Sequence, residues 1–177
     1  MNAYDTFDTP LGDFTAAVND TGAVVGTAFG DVAALCHYTR LHLDDLTHDP
    51  ERVAQVRAQI EQYFDGTRQE FDLTLAPSGT PFQHSVWQAL TDIPFSETRS
   101  YGQLATMLST SPRAMGGANG SNRICLIVPC HRVIGWDGSL TGFAYGTEIK
   151  RRLLEHEARV AAGGDSRPGQ TAPRLSA

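Results

Sequence analysis

A cysteine attacks as its thiolate, and at neutral pH it needs a nearby base or a positive environment to become one. Cys130 stands in Pro129-Cys130-His131-Arg132-Val133, directly after the apolar run 124–128. That run should be buried, and the proline restricts the backbone that presents the thiol. His131 is the adjacent base, but neighbours in an extended segment face opposite sides, so contact needs a turn or a bridging water. A Cys-His pair alone fits a buried structural cysteine better than a reactive one. Glu157 adds a third group. Ile149, Leu153 and Glu157 lie at i, i+4 and i+8 on one stripe of a last helix over about 147–157, so the carboxylate continues the core-facing side. At the helix C-terminus the dipole disfavours its charge. A partly buried carboxylate there needs a partner, and His131 is the candidate. Cys130, His131 and Glu157 then make a nucleophile, a base and an orienting group, which is the requirement for covalent chemistry. The alternative is a helix that frays before Glu157 and leaves it solvated. On these residues alone the substrate stays open.

The elements that must position these groups fall in two parts. In the first ~75 residues, segments 14–18, 24–29 and 33–38 read as strands, with Asn19, Asp20, Gly22 and Gly30 as turn material. Asp49 and Pro50 open a helix carrying Val53, Val56, Ile60 and Phe64, and Gly66 stops it. Phe71, Leu73 and Leu75 alternate like one more strand. The boundary is placed at Pro77-Ser78-Gly79. Beyond it, Thr80 and Gln83 form a capping box with Pro81 at the first helical position, and Ser100 with Gln103 forms a second. Ser109 and Thr110 separate this second helix from Ser111-Pro112, another N-cap and proline, giving a helix-turn-helix arrangement. The following helix contains Gly116, Gly117 and Gly120, and each interior glycine costs about 1 kcal/mol relative to alanine. Close approach to a nucleic-acid backbone and tight packing on another helix would each account for that cost. The expected fold is α+β in two domains. Residues 1–78 form a small antiparallel sheet with a helix, 79–160 a mostly helical domain, and 161–177 a disordered tail.

Net charge is −6, yet its distribution is uneven. Residues 1–79 carry four Lys and Arg against thirteen Asp and Glu, while 80–177 carry ten against seven. Affinity for phosphates therefore belongs to the second half. Cys36, Cys125 and Cys130 are an odd set in a chain with no signal-like N-terminus and no long apolar run. This composition points to free thiols, a cytoplasmic location and no membrane association. Cys36-His37, with His42 and His48 nearby, lacks zinc-ligand spacing, so no metal and no cofactor is expected.

From Thr80 to Glu157 the sequence resembles the O6-alkylguanine-DNA alkyltransferases, the methylated-DNA–protein-cysteine methyltransferases of the bacterial Ogt type. The strings that carry the resemblance are FQHSVWQAL, YGQLA, RAMGGANGSN, PCHRVIG and LTGFA, then Lys150 followed by LLEHE. The resemblance implies that Cys130 accepts the alkyl group, that His131 takes its proton through a water, and that Glu157 holds the imidazole. Asn122 matches the asparagine that braces the active-site turn. Tyr101 matches the tyrosine that helps rotate the nucleotide and donates toward the base or its phosphate. Arg113 matches the arginine that fills the space left by the extruded guanine. Its helix, with Ala114, Gly116, Gly117 and Asn119, would lie in the minor groove. Val133 and the loop Gly142, Phe143, Ala144 and Tyr145 would line the base pocket. The implied partner is double-stranded DNA carrying O6-alkylguanine, with O4-alkylthymine as a further substrate, bound by a monomer that reacts once.

Three features depart from the family pattern. The interval from Tyr101 to Arg113 is about two residues shorter. Tyr145 stands where a glycine is usual, which narrows the pocket and favours methyl over benzyl. Phe95-Ser96 replaces a common tyrosine-glycine pair. Three other classes fit parts of the sequence: a non-catalytic lesion sensor, a cysteine hydrolase and a transcription regulator. A sensor has no use for Cys130, a hydrolase none for the helix-turn-helix, and a regulator none for an aligned nucleophile.

Overall fold

The computed structural model describes residues 1–164, and the chain divides into two compact units. The first comprises Met1–Ser78 together with Arg123–Cys125. Its sheet has the order β3-β2-β1-β4, formed by β1 (Asn2–Thr9), β2 (Gly12–Val18), β3 (Val24–Phe29) and β4 (Leu46–His48). The pairs β1–β2 and β2–β3 are antiparallel, but β4 runs parallel to β1, so the sheet is mixed where an all-antiparallel one was expected. The β1 strand escaped sequence reading because two of its inward positions are polar. Ala3, Asp5, Phe7 and Thr9 face inward, and Asp5 is accommodated by His48 Nε2 at 3.1 Å and Arg57 Nη1 at 3.6 Å.

Residues 33–38, expected as a strand, lie in helix α1 (Val32–Thr39). Asp31 caps it by accepting from the Ala34 amide, and only Leu35 and Thr39 are buried, at helical spacing. A local cap and one buried stripe thus override an apolar run that alone does not distinguish helix from strand. Helix α2 (Pro50–Asp65) follows its signals closely: Asp49 caps it, Pro50 opens it and left-handed Gly66 closes it. Val53, Val56, Ile60 and Tyr63 are its buried face. The alternating 71–75 segment forms an isolated bridge from Leu75 to Val24, not a strand.

The second unit comprises Gly79–Asn122 and the described residues from Leu126 onward. Helix α3 (Pro81–Thr91) and α4 (Tyr101–Met107) both begin with the expected reciprocal capping boxes, Thr80 with Gln83 and Ser100 with Gln103. The turn into α5 (Pro112–Gly120) is closed by Ser109 in the left-handed region, φ 53°, and by the Thr110 amide donating to Ala105 O at 2.9 Å. The shortened interval therefore still delivers Arg113 to the exposed first turn of α5. Trp87 on α3 donates its indole N–H to Ala118 O at 3.0 Å, and Gln83 donates to Ser121 Oγ at 3.1 Å, which ties α3 to α5. A two-residue parallel pairing joins β5 (Arg99–Ser100) to β6 (Val133–Ile134). The last helix, α6 (Thr147–Gly164), runs past the expected end near Glu157, because Ala158, Ala161 and Ala162 sustain it as far as Gly163 and Gly164. Residues 165–177, most of the expected disordered tail, lie outside the described residues.

Candidate active site

The turn that carries Cys130 is built from its own backbone. Pro129 has φ −81° and ψ 65°, and the Cys130 amide donates to Val128 O at 2.8 Å, the geometry of an inverse γ-turn. A single 3-10 turn, Cys130–Arg132, follows at once. Asn122 Nδ2 donates to the same Val128 carbonyl at 2.9 Å, so a side chain braces the peptide that precedes the thiol. Cys130 is 5% exposed. Burial pushes its thiol above the ordinary value, and the lowering effects of Asn122 and Lys150 do not reverse this. The resting group is therefore a thiol, and a base must take its proton during any reaction.

His131, the base expected from the sequence, is held in a defined state. Its ring is fully buried, and Nε2 lies 2.7 Å from Glu157 Oε2. Burial lowers its pKa despite the carboxylate, so the imidazole is neutral and donates from Nε2. Nδ1 is then a bare acceptor, and it has no hydrogen-bond partner among the described residues. Glu157, with no exposure, receives more than the histidine. Arg132 Nε donates to Oε1 at 2.8 Å and Nη2 to Oε2 at 3.1 Å, and the Ser96 amide reaches Oε1 at 3.2 Å. Burial alone would raise the carboxyl pKa, but His131 and Arg132 hold it well below the usual range. Because α6 continues to Gly164, Glu157 does not sit at its C-terminus. The helix-dipole argument therefore does not apply, while the need of a buried charge for partners does.

Lys150, about two turns earlier on the buried side of α6, is also without exposure. Its ammonium donates to Val133 O and, at 3.0 Å, to Thr141 O. Burial lowers its pKa to about 8. Tyr101, at the start of α4, donates its hydroxyl to the same Thr141 carbonyl at 3.1 Å. Burial, with Cys130 nearby, raises the phenol pKa and keeps it a donor. Gly142 has φ 78°, and a Cβ there would come within 2.6 Å of Tyr101 Oη, so this loop can pass the tyrosine only as glycine.

Comparison with known proteins agrees with this architecture. Residues 2–77 match the family described as 6-O-methylguanine DNA methyltransferase, ribonuclease-like domain, and residues 81–159 match its DNA binding domain. A methylated-DNA–protein-cysteine methyltransferase of Methanosarcina barkeri is 41% identical over 157 residues, covering 87% of this chain and 96% of the relative. One from Mycobacterium bovis is 44% identical over 159 residues, covering 89% and 93%. The crystal structure of Mycobacterium tuberculosis OGT in complex with DNA superposes with a TM-score of 0.80 at 39% identity, covering 89% of this chain and 94% of that one. The chain belongs to the methylated-DNA–protein-cysteine methyltransferase family.

Against the family pattern, the second unit brings Cys130, His131, Glu157, Asn122 and Tyr101 onto connected elements. Val133 is fully buried and Phe143 is 9% exposed, whereas Gly142 and Ala144 are exposed and Tyr145 is half-buried, its ring 5.5 Å from that of Phe143. On α5, Arg113, Ala114 and Gly117 are exposed and Gly116 is partly so. Asn119 corrects an expectation. It is 3% exposed, on the inner face with Met115 and Ala118, and its Nδ2 is 3.5 Å from Tyr101 Oη. It is placed to support the tyrosine, not to face a duplex. Sequence reading also missed Arg132, Lys150 and Ser96 as site residues. Arg132 could have been found as the one permanent cation in the PCHRV string, whereas Ser96, which contributes a backbone N–H held at φ 67°, had only the indirect signal that a glycine is usual there. Among the described residues no group of three or more His, Cys, Asp and Glu is arranged to hold a metal ion, and no helix is long and apolar enough to cross a membrane.

Proposed function

We propose that this chain performs direct-reversal DNA repair: it takes an alkyl group, chiefly methyl, from O6 of guanine in duplex DNA and retains it on Cys130. The observation that carries the reading is the buried His131, which donates to Glu157 through Nε2 and leaves Nδ1 as an unpaired acceptor next in sequence to a protonated, buried cysteine. His131 Nδ1 takes the thiol proton, directly or through a water. The sulfur attacks the alkyl carbon, an S–C bond forms, and the C–O6 bond breaks with its electrons going to the purine. Tyr101 gives a proton to the purine and is reprotonated from His131 through solvent, so guanine leaves neutral and the proton taken from the thiol is passed on. Glu157 stays ionised throughout, because Arg132 compensates its charge whether His131 is neutral or protonated.

O6 lies inside the duplex, so the nucleotide must leave the stack before sulfur can reach it. Arg113 on exposed α5 fills the gap, and the small residues Ala114, Gly116 and Gly117 let the helix approach the minor groove. Val133, Gly142, Phe143, Ala144 and Tyr145 receive the base, and O4-alkylthymine is a second substrate of the same geometry. The product thioether has no leaving group to regenerate the thiol, so each molecule reacts once. No second copy is needed, and the protein acts as a cytoplasmic monomer. Mass spectrometry after mixing with a duplex containing one O6-methylguanine tests this. One added methyl group on Cys130, absent in Cys130→Ala, is the expected result. Unchanged mass with retained lesion binding would make the chain a sensor instead.

A further inference from the structure

Trp136 is 91% exposed, while Trp87 is 3% exposed. Tryptophan carries a large apolar surface that folding normally hides. The turn that displays it is otherwise made of turn formers. Gly138 donates to Gly135 O at 3.0 Å, Gly135 donates to Ser139 O at 2.9 Å, and the Ser139 amide donates to Asp137 Oδ1 at 3.1 Å. Gly138 is left-handed at φ 83°. These bonds hold the turn without any contribution from the indole.

The two feet of this excursion are anchored at the active site. Val133 and Thr141 both accept from the Lys150 ammonium, and Thr141 also accepts from Tyr101. Val133 follows Cys130 by three residues and pairs with Arg99, two residues before Tyr101. Three residues of chain reach at most about 11 Å, so Trp136 Cα is within that distance of Val133 Cα. A single DNA-binding module covers about 600–1,000 Å², equivalent to a disc of about 14–18 Å radius. The second foot of the turn accepts from Tyr101, whose ring lies 3.9 Å from the Cβ that Gly116 of α5 would carry, so the turn adjoins the helix proposed to face the duplex and lies within reach of a footprint of that size.

We propose that Trp136 is a DNA-contact residue, packing its ring on the nucleotide that flanks the extruded one. Extrusion of a base leaves its neighbour with an uncovered face, and an aromatic side chain stacks on any base without reading its sequence. This role rests on the alkyltransferase reading and adds an uncharged contact to it. Because Trp136 neutralises no phosphate, its loss weakens binding without changing the salt dependence, unlike the loss of an arginine or lysine.

The test uses the full chain and a duplex carrying one O6-methylguanine. In a Cys130→Ala protein, which holds the complex, acrylamide quenching of the exposed tryptophan should fall at least about threefold on binding, since one stacked face is withdrawn from solvent. Trp136→Ala should raise Kd about 5- to 30-fold at constant log–log salt slope, with Trp136→Phe recovering most of the loss. Urea denaturation of Trp136→Ala and Trp136→Phe should match that of the unmodified chain, because the side chain is 91% exposed. Quenching unaffected by the duplex, or an unaltered Kd for Trp136→Ala, would overturn the contact while leaving the alkyltransferase reading intact. Absence of methyl transfer by the unmodified chain would overturn the alkyltransferase reading, and absence of duplex binding as well would overturn both.

Discussion

Glu157 holds donors from three directions: the His131 ring, the Arg132 guanidinium and the Ser96 amide. Its removal leaves a buried arginine uncompensated, so Glu157→Ala should destabilise the protein by about 3–5 kcal/mol in urea denaturation. The same group sets part of the acid response. A carboxyl whose folded pKa is depressed contributes stability that is present above its unfolded value and lost as pH falls through the folded one. His131 acts earlier. Its folded pKa is also depressed, so below about pH 6.5 the unfolded chain gains a proton that the folded chain lacks. Stability should therefore begin to fall below pH 6.5 and fall further below the ordinary carboxylate range. In His131→Asn the first decline should disappear, and its persistence would contradict a neutral imidazole. We propose that Tyr145 governs substrate choice. Replacing it with glycine should raise the rate of alkyl transfer from O6-benzylguanine more than that from O6-methylguanine. Equal effects would remove Tyr145 as the element that narrows the pocket.

At the scale of elements, α5 is a helix made from residues poorly suited to one. Its inner face is Met115, Ala118 and Asn119, and its outer face is nearly bare. A Cβ added at Gly117 would meet no atom within 4 Å, and Gly117 is helical, so packing does not require glycine there. Gly117→Ala should therefore stabilise the fold by about 0.5–1 kcal/mol. If the bare face exists for close approach to DNA, the same variant should bind duplex more weakly. A rise in stability with unchanged affinity would assign the glycine to neither packing nor recognition. The β5–β6 pairing matters in a different way. It is only two residues long, yet it places the strand leaving the Cys130 turn beside the strand entering α4, which starts with Tyr101.

At the scale of the whole molecule, the charge pattern and the partner have to be reconciled. An overall charge of −6 opposes DNA binding, and the excess of basic over acidic residues beyond Thr80 is small. Under the proposed function, attraction comes from a few cations, Arg113 among them, together with backbone N–H groups. Duplex affinity should fall linearly on a log–log plot against salt, with a slope near −0.9 per phosphate contacted. An affinity insensitive to salt would argue against a phosphate-tracking interface. The family relationship spans most of the chain, including residues 2–77, where the inward Asp5 conceals β1 and an apolar run conceals the helical nature of 32–39 from pattern reading.

Local chemistry determined what could be read without coordinates. Capping boxes, first-turn prolines and the closing glycine at 66 are interactions within a few residues, so α2, α3, α4 and the start of α5 were legible from their own sequences. The Cys130, His131 and Glu157 set was legible because the helical stripe on α6 and the motif around the thiol each carry their own signal. Tertiary structure decided the rest, through groups distant in sequence that satisfy one another's charge or hydrogen bonds. Asp5 can face inward only because His48 and Arg57 meet it, which is why β1 looks too polar to be a strand. Arg132 joins the site because Glu157, 25 residues away, needs a cation beside the neutral imidazole once it is buried. Lys150 belongs there because one ammonium bridges two carbonyls, Val133 and Thr141, on either side of a turn. Such pairings have no period in the sequence, since their cause is the desolvation of polar groups that only the folded chain brings together.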